Sequence, residues 1–244
     1  MIKPKTSASF TLIELLVVIA IIAVLASIAL PVFVSVQVKG AQTQALSNAK
    51  QIALALRLYA SDNNGNYPSY IVDSNGQTVG PSPAPVTSSN DAFCQLFPTY
   101  VKSEKIFWLA KSKWCNPNPP DEQMDATLVV PSSLTLASGE NEWAYVLGLS
   151  DTSNPSVPLI ADGFLDQSAH TFSKDSTAKG GVWKGTNAIV IRADSSGTVE
   201  KVNQGDMTIH GPNGTAGGTQ GDIFTINNAT NGWLGTANTV VNPK

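Results

Sequence analysis

The sequence predicts an α+β protein in which one long N-terminal helix precedes a small antiparallel sheet. Three observations lead there. An apolar run extends from Phe10 to about Val34, interrupted by Thr11, Glu14, Ser27 and Pro31. It is long enough for the roughly 20 apolar residues that a membrane span needs. Beyond Pro31, apolar residues recur at Val38, Ala41, Ala45, Ala49, Ile52, Leu56 and Tyr59. Those steps of three and four residues make one helical face. The later chain then alternates short strand-like runs with turn residues, the pattern of an antiparallel sheet.

The elements follow in order. Residues 1–9 form a short basic leader with Lys3 and Lys5 and no acid. Those lysines hold the N-terminus on the cytoplasmic side, so everything after Val34 lies outside the cytoplasm. Residues 10–34 are the transmembrane helix, and residues 35–62 are an amphipathic continuation of it. Pro31 bends or locally opens the helix without ending it, because it lacks a donor and crowds the preceding turn. The helix stops near Ser61, where Asp62-Asn-Asn-Gly65 supplies turn residues and Pro68 blocks continuation. At 1.5 Å per residue it would be roughly 75–80 Å long, too long for a compact domain, so a lollipop shape is expected.

Glu14 is the one carboxylate in the apolar run. At the centre of a span an ionisable residue costs about 2.5–3.5 kcal/mol, and such residues usually have a partner and a role. Two other readings stay open at this point. Glu14 at a shallow depth reaches the headgroups, and an ordinary signal peptide could be cut at a small-residue step such as Ala26-Ser-Ile-Ala29.

A Gly- and Pro-rich connection, Val72 to Ser89, leads to a short helix within Asn90–Tyr100 and a buried stretch at Glu104–Trp108. The strand candidates are Trp143–Leu147, Val157–Ala161, Asn187–Arg192 and Gly197–Val202, with Ile223–Ile226 and Thr239–Val241 as edge strands. The head covers residues 63–205. Residues 206–244 form a Gly-, Asn- and Thr-rich C-terminal extension with a flexible loop at His210–Gly221.

Composition excludes several function classes. The net charge is −3 and charged residues make up 14% of the chain, so nucleic acid is not an expected partner. Cys94 and Cys115 form no Cys-x-x-Cys pair, and His170 and His210 stand apart, which argues against zinc. In an oxidising compartment Cys94 and Cys115 are candidates for one disulfide, with two unpaired thiols as the alternative. Asp162, Asp166, Ser168 and His170 lie close in sequence, but triads are recognised by geometry and no Gly-x-Ser-x-Gly elbow is present. No enzyme activity is expected.

Ser9 followed by Phe10-Thr-Leu-Ile-Glu14-Leu-Leu resembles the processing signal of type IV pilins and type II secretion pseudopilins. Pro31 falls where that family commonly has proline. Leu58-Tyr-Ala-Ser-Asp-Asn-Asn-Gly-Asn-Tyr-Pro68 is similar to the helix exit of major pseudopilins. Lys184-Gly-Thr-Asn-Ala-Ile-Val-Ile-Arg-Ala-Asp194-Ser195 resembles a degenerate form of a C-terminal His, nine residues, Asp-Gly motif. Lys184 stands for the His and Ser195 for the Gly. The family has Gly before the cut, where this chain has Ser9.

The resemblance implies a pilin-like fold and cleavage between Ser9 and Phe10 by prepilin peptidase, with N-methylation of Phe10. It implies polymerisation with other pilin or pseudopilin subunits on an inner-membrane assembly platform. Glu14 would then set register by pairing with the N-terminal amine of a neighbouring subunit. The expected protein is a single-pass inner-membrane subunit that passes into a periplasmic or surface fibre, most plainly a pseudopilin of a type II secretion system. A minor pilus subunit and a membrane-anchored extracellular binding module are the alternatives, and a secreted protein cut after an ordinary signal is the third. No organic cofactor is expected. Because some pseudopilins bind calcium through loop oxygens, Asp162, Asp166 and Asp194 are candidate Ca²⁺ ligands, with Asp175 nearby.

Overall fold

A computed structural model describes residues 11–72, 84–126, 130–211, 221–226 and 233–244. The chain divides into two compact units, Met1–Thr43 and Gln44–Lys244. Helix α1 runs over Leu12–Asp62 with Pro31 inside it. The α+β class is borne out: a long N-terminal apolar helix and a small antiparallel sheet of five strands.

In the first unit the helix is apolar on all sides. Its large apolar residues from Leu12 to Val36 are between 46% and 80% exposed. Inside the helix Ser27 and Ser35 donate their hydroxyls back to Val24 O and Val32 O, at 2.7 and 2.8 Å. Such back-bonding lets a hydroxyl sit in an apolar helix without an unmet donor.

In the second unit the periodic face forms as expected. Ala45, Ala49, Ile52 and Leu56 are buried and Tyr59 is half-buried, whereas Lys50 and Arg57 are exposed. The helix lies close to the sheet: a Cβ on Gly197 would stand 2.9 Å from both Leu46 Cδ1 and Lys50 Cε. At the helix end Asn64 and Gly65 take left-handed φ values of 54° and 80°, and Gly65 N donates to Ala60 O at 2.8 Å. This six-to-one bond is that of a Schellman cap, which explains the stop at Asp62.

The expected short helix is Ser89–Phe93 (α2), continued by a 3₁₀ turn at Cys94–Leu96. Ser88 caps it, accepting from Asp91 N at 3.2 Å. A second 3₁₀ turn covers Glu104–Ile106, and within the expected buried stretch only Glu104 and Phe107 are fully buried.

The strands are β1 (Trp143–Leu147), β2 (Pro158–Asp162), β3 (Asn187–Arg192), β4 (Gly197–Lys201) and β5 (Thr239–Val241). All neighbours are antiparallel in the order β4-β3-β2-β1-β5, with Trp143 opposite Asp162 and Tyr145 opposite Val241. Every residue of β1 and β2 is buried, which fits their apolar runs Trp143–Leu147 and Pro158–Ala161 and leaves Asp162 a buried acid at the end of β2, and β4 is an exposed edge. Phe93 packs on Tyr145 at 5.1 Å between ring centres. Phe164 gathers Phe172 and Phe224 at 5.1 and 5.0 Å.

The segment Ile223–Ile226 differs from expectation. Asp222 accepts from Phe224 N at 3.0 Å and its carbonyl accepts from Thr225 N at 3.1 Å, so the chain turns here instead of extending. Thr239–Val241 does supply an edge strand, β5. Most of the expected flexible loop, residues 212–220, and most of the Val72–Ser89 connection, residues 73–83, lie outside the described residues.

Candidate functional site

The N-terminal segment is the first candidate. Ser9 and Phe10 lie outside the described residues. Glu14 begins the helix in a capping box. Thr11 N and Thr11 Oγ1 both donate to Glu14 Oε2 at 2.8 Å, and Glu14 N donates to Thr11 Oγ1 at 3.3 Å. This reciprocal pattern satisfies two of the helix's free donors. Glu14 thus has a local partner within the single chain, whatever it pairs with in an assembly. The Thr-x-x-Glu spacing carried that signal in the sequence. A cap accounts for the side chain's position, and either Glu or Gln can supply it.

The sequence-predicted metal ligands are not brought together. Asp162 is fully buried, its Oδ2 accepting from Trp183 Nε1 at 2.8 Å and from Ile189 N at 2.6 Å. Asp166 is exposed and takes Ser168 N at 2.8 Å, and Asp194 takes Ser196 N at 2.7 Å in the β3–β4 turn. Asp175 likewise closes its own turn, accepting from Thr177 N at 2.8 Å. These are turn-forming aspartates and one buried structural carboxylate. Among the described residues, the acids whose oxygens converge are Glu104, Asp121 and Glu140.

Buried acids are the electrostatic feature that sequence reasoning missed. Glu142, just before β1, is fully buried, and Ser112 Oγ donates to its Oε2. Burial first, then the nearby Asp162 charge, pushes the Glu142 carboxyl well up from its ordinary range. Burial also raises Asp162 to about 7, against the opposing bonds from Ile189 and Trp183. One oxygen of each, Glu142 Oε1 and Asp162 Oδ1, has no hydrogen-bond partner. The donors that Asp162 collects favour its charged form, so Glu142 is the member that keeps the proton.

The remaining candidates separate in space or function. Ser168 Oγ donates to Asp166 Oδ1 at 2.7 Å while His170 Nδ1 bonds Asp222 Oδ2 at 2.6 Å, so the hydroxyl and the imidazole serve different acids. Cys94 and Cys115 are both free thiols, and no disulfide joins them. Cys94 Sγ is turned into the helix, donating to Asp91 O at 3.2 Å, and Cys115 Sγ accepts from Leu109 N at 3.4 Å. Burial, the largest influence on each, raises both thiols to about 12, which leaves them protonated and unreactive at neutral pH.

Lys184 and Ser195 bracket β3, and both take left-handed φ values, 57° and 66°. Ser195 Oγ is also buried without a partner. Glycine at 195 would relieve the left-handed backbone, worth about 1–2 kcal/mol, and remove the unmet hydroxyl, offset by about 0.5–1 kcal/mol of added chain entropy. Ser195→Gly is therefore expected to stabilise the protein by about 1 kcal/mol, a rise of roughly 2–4 °C in Tm. An unchanged or lowered Tm on thermal unfolding would refute that account of the turn.

Comparison with known proteins points to the first candidate. A model of the prokaryotic N-terminal methylation motif matches residues 4–30. The type IV major pilin protein PilA of Myxococcus xanthus (strain DK1622) is 43% identical over 53 residues, which cover 22% of this chain and 24% of that protein. The chain thus spans about a quarter of the length of the curated relative it matches. No solved structure matches it. A helix long and apolar enough to cross a membrane overlaps the motif, and in this N-terminal segment the chain is similar to a type IV major pilin.

Proposed function

We propose that this chain is a structural subunit of a type II secretion pseudopilus. The observation that carries the reading is the methylation motif at residues 4–30, set at the head of a helix of membrane length. Prepilin peptidase cuts between Ser9 and Phe10 and methylates the new amine. The subunit then rests in the inner membrane with its head outside the cytoplasm, until an assembly platform draws it into a fibre. The apolar surface from Leu12 to Val36, which a single chain leaves uncovered, becomes the packed fibre core. Membership of a type IV pilus is the second reading, favoured by the 43% identity to a major pilin.

In the fibre Glu14 has a second task beyond its cap. The new amine at Phe10 has a pKa near 8 in model peptides and stays cationic at neutral pH. In a water-poor helix bundle, pairing it with a neighbour's Glu14 is favoured over leaving either charge alone. The substitution Glu14→Gln separates cap from charge, because Gln preserves the capping box. Glu14→Gln should be cut and methylated normally, yet enter fibres at least about tenfold less, equivalent to about 1.4 kcal/mol. Mass spectrometry of the N-terminus and quantification of sheared fibres read the two steps. Normal assembly of this variant would remove the charge-pairing role, and an uncut Met1 in the wild type would remove the pilin-like reading. Loss of secreted proteins without loss of surface fibres, on deletion of the gene, separates the secretion reading from the pilus reading.

A further inference from the structure

Between α1 and β1 the chain runs through a long segment with little regular structure. Three acids from separate parts of it meet: Glu104 in the second 3₁₀ turn, Asp121 in the loop that follows, and Glu140 just before β1. One carboxylate oxygen from each lies within 4.8 Å of the others. Glu104 is completely buried, and Glu140 is 8% exposed. Asp121 is exposed, so the group opens to solvent on one side.

Glu104 is the informative member. Its Oε1 accepts from Leu136 N at 2.7 Å, but its Oε2 is buried with no hydrogen-bond partner. A buried carboxylate oxygen left unmet is costly, and native structures normally supply a donor, a water or an ion. The nearest ammonium does not serve it: Lys105 Nζ pairs with Glu122 Oε1 at 3.0 Å, and that same glutamate takes Glu104 N on its Oε2 at 3.1 Å. Four carboxylates therefore crowd a region where the paired cation is Lys105. Glu140 Oε2 accepts Ala137 N at 2.7 Å, and the two Asp121 oxygens accept from Gln123, at 2.9 and 3.0 Å. These bonds fix the carboxylates in place and leave lone pairs free.

We propose that Glu104, Asp121 and Glu140 form a calcium site that ties this irregular segment together. The donor set is all oxygen, which selects a hard cation. Oxygens on opposite sides of a calcium ion bound at about 2.3–2.6 Å stand about 4.6–5.2 Å apart, so three oxygens within 4.8 Å of one another can close on one ion by small side-chain movements. Magnesium, at about 2.0–2.1 Å, would draw opposite ligands to within about 4.2 Å and hold strict octahedral geometry. The open side at Asp121 leaves room for waters to complete six to eight ligands. Binding joins three stretches of one loop region, and so acts on the folded state. The half-open site suits the weak affinities of extracytoplasmic modules, about 10⁻⁴–10⁻³ M.

The test uses the full chain in detergent, stripped with a chelator and titrated with calcium or magnesium. Calcium at ten times its Kd should raise Tm by about 3–6 °C, and magnesium at the same concentration by clearly less. Glu104→Gln removes repulsion, so its metal-free Tm should equal or exceed that of the wild type while the calcium shift disappears. The exposed Asp121→Asn should also lose the shift, and it serves if Glu104→Gln fails to fold. Asp166→Asn and Asp194→Asn should keep it. The proposal is overturned by no calcium shift at ~10 mM, ten times the upper Kd. It is equally overturned by an equal response to magnesium, by a shift that survives in both site variants, or by one that vanishes with Asp166→Asn or Asp194→Asn.

Discussion

Replacing Asp162 with alanine is expected to destabilise the protein by about 3–5 kcal/mol, a large part of the roughly 5–15 kcal/mol that holds a domain folded. Two donors depend on its Oδ2, the buried indole of Trp183 and the β3 amide of Ile189. Alanine leaves both without an acceptor, and each unmet buried donor costs about 1–3 kcal/mol. The two bonds also link the end of β2 to the start of β3 and to the loop before it. Denaturant unfolding of the variant measures the loss. A cost below about 1 kcal/mol would show that those donors find other partners.

The same pair makes stability fall with rising pH. Both folded-state pKa values lie above their ordinary values of 3.8 for Asp162 and 4.5 for Glu142. Between the unfolded and folded values the native state holds more protons than the unfolded state, so stability decreases as pH rises. For Asp162 that window runs from 3.8 to about 7, and for Glu142 it opens at 4.5 and reaches well above that value. Carboxyls held below their ordinary range, such as Asp166 with its Ser168 bonds and Asp175 with its Thr177 bonds, act in the opposite sense. Their contribution is present above the unfolded pKa and lost on acidification, outside this window. Glu142→Gln mimics the protonated acid. Its unfolding curves should stay close to wild type at pH 5 and become clearly more stable than wild type at pH 9. Because Glu104 also titrates in this range, the difference between the two proteins is the quantity that reports on Glu142.

The helix was legible in the sequence because its signals are local. A continuous apolar run, a three-four periodicity and an Asn-Gly stop each act within a few residues, and α1 ends within one residue of the expected Ser61. Strands β1 and β3 match expectation end to end, because turn residues flank compact β-branched and aromatic runs. Chemistry that depends on distant residues was not legible. Glu142 and Asp162 meet only because β1 and β2 pair with Trp143 opposite Asp162. Glu104, Asp121 and Glu140 converge through loops with no period to read. Of the acids read as candidate metal ligands, Asp166, Asp175 and Asp194 sit in Asx turns that use up the carboxylate locally, and Asp162 is bonded within the sheet. At Glu14 the charge in an apolar run is the conspicuous signal, but the Thr11-x-x-Glu14 spacing is what gives the side chain its local bond.

Deleting Thr239–Lys244 should unfold the globular unit, although this short segment ends an extension that composition reads as surface variation. Strand β5 closes the sheet beside β1, and Val240 and Val241 are 5% and 3% exposed. Burying two such side chains contributes about 1.5–3 kcal/mol each. Asn242 then grips the turn after β2 from both sides, accepting from Phe164 N at 3.0 Å and donating to Phe164 O at 3.1 Å. Its own carbonyl accepts from Ser89 N at 3.0 Å, at the start of α2. Lys244 Nζ reaches the nearly buried Asp91 at 2.9 Å and Ser132 O at 3.1 Å. Losing two valines and several buried hydrogen bonds sums to more than about 5 kcal/mol, comparable to the whole stability of a domain. The truncated chain should still enter the membrane through α1, but its head should be cut rapidly by protease under conditions that spare the full chain. Val241→Ala, expected to cost about 1–3 kcal/mol, should give an intermediate rate. A truncated head as resistant as the full-length one would mean that β1 tolerates a bare edge and that the C-terminal strand is dispensable.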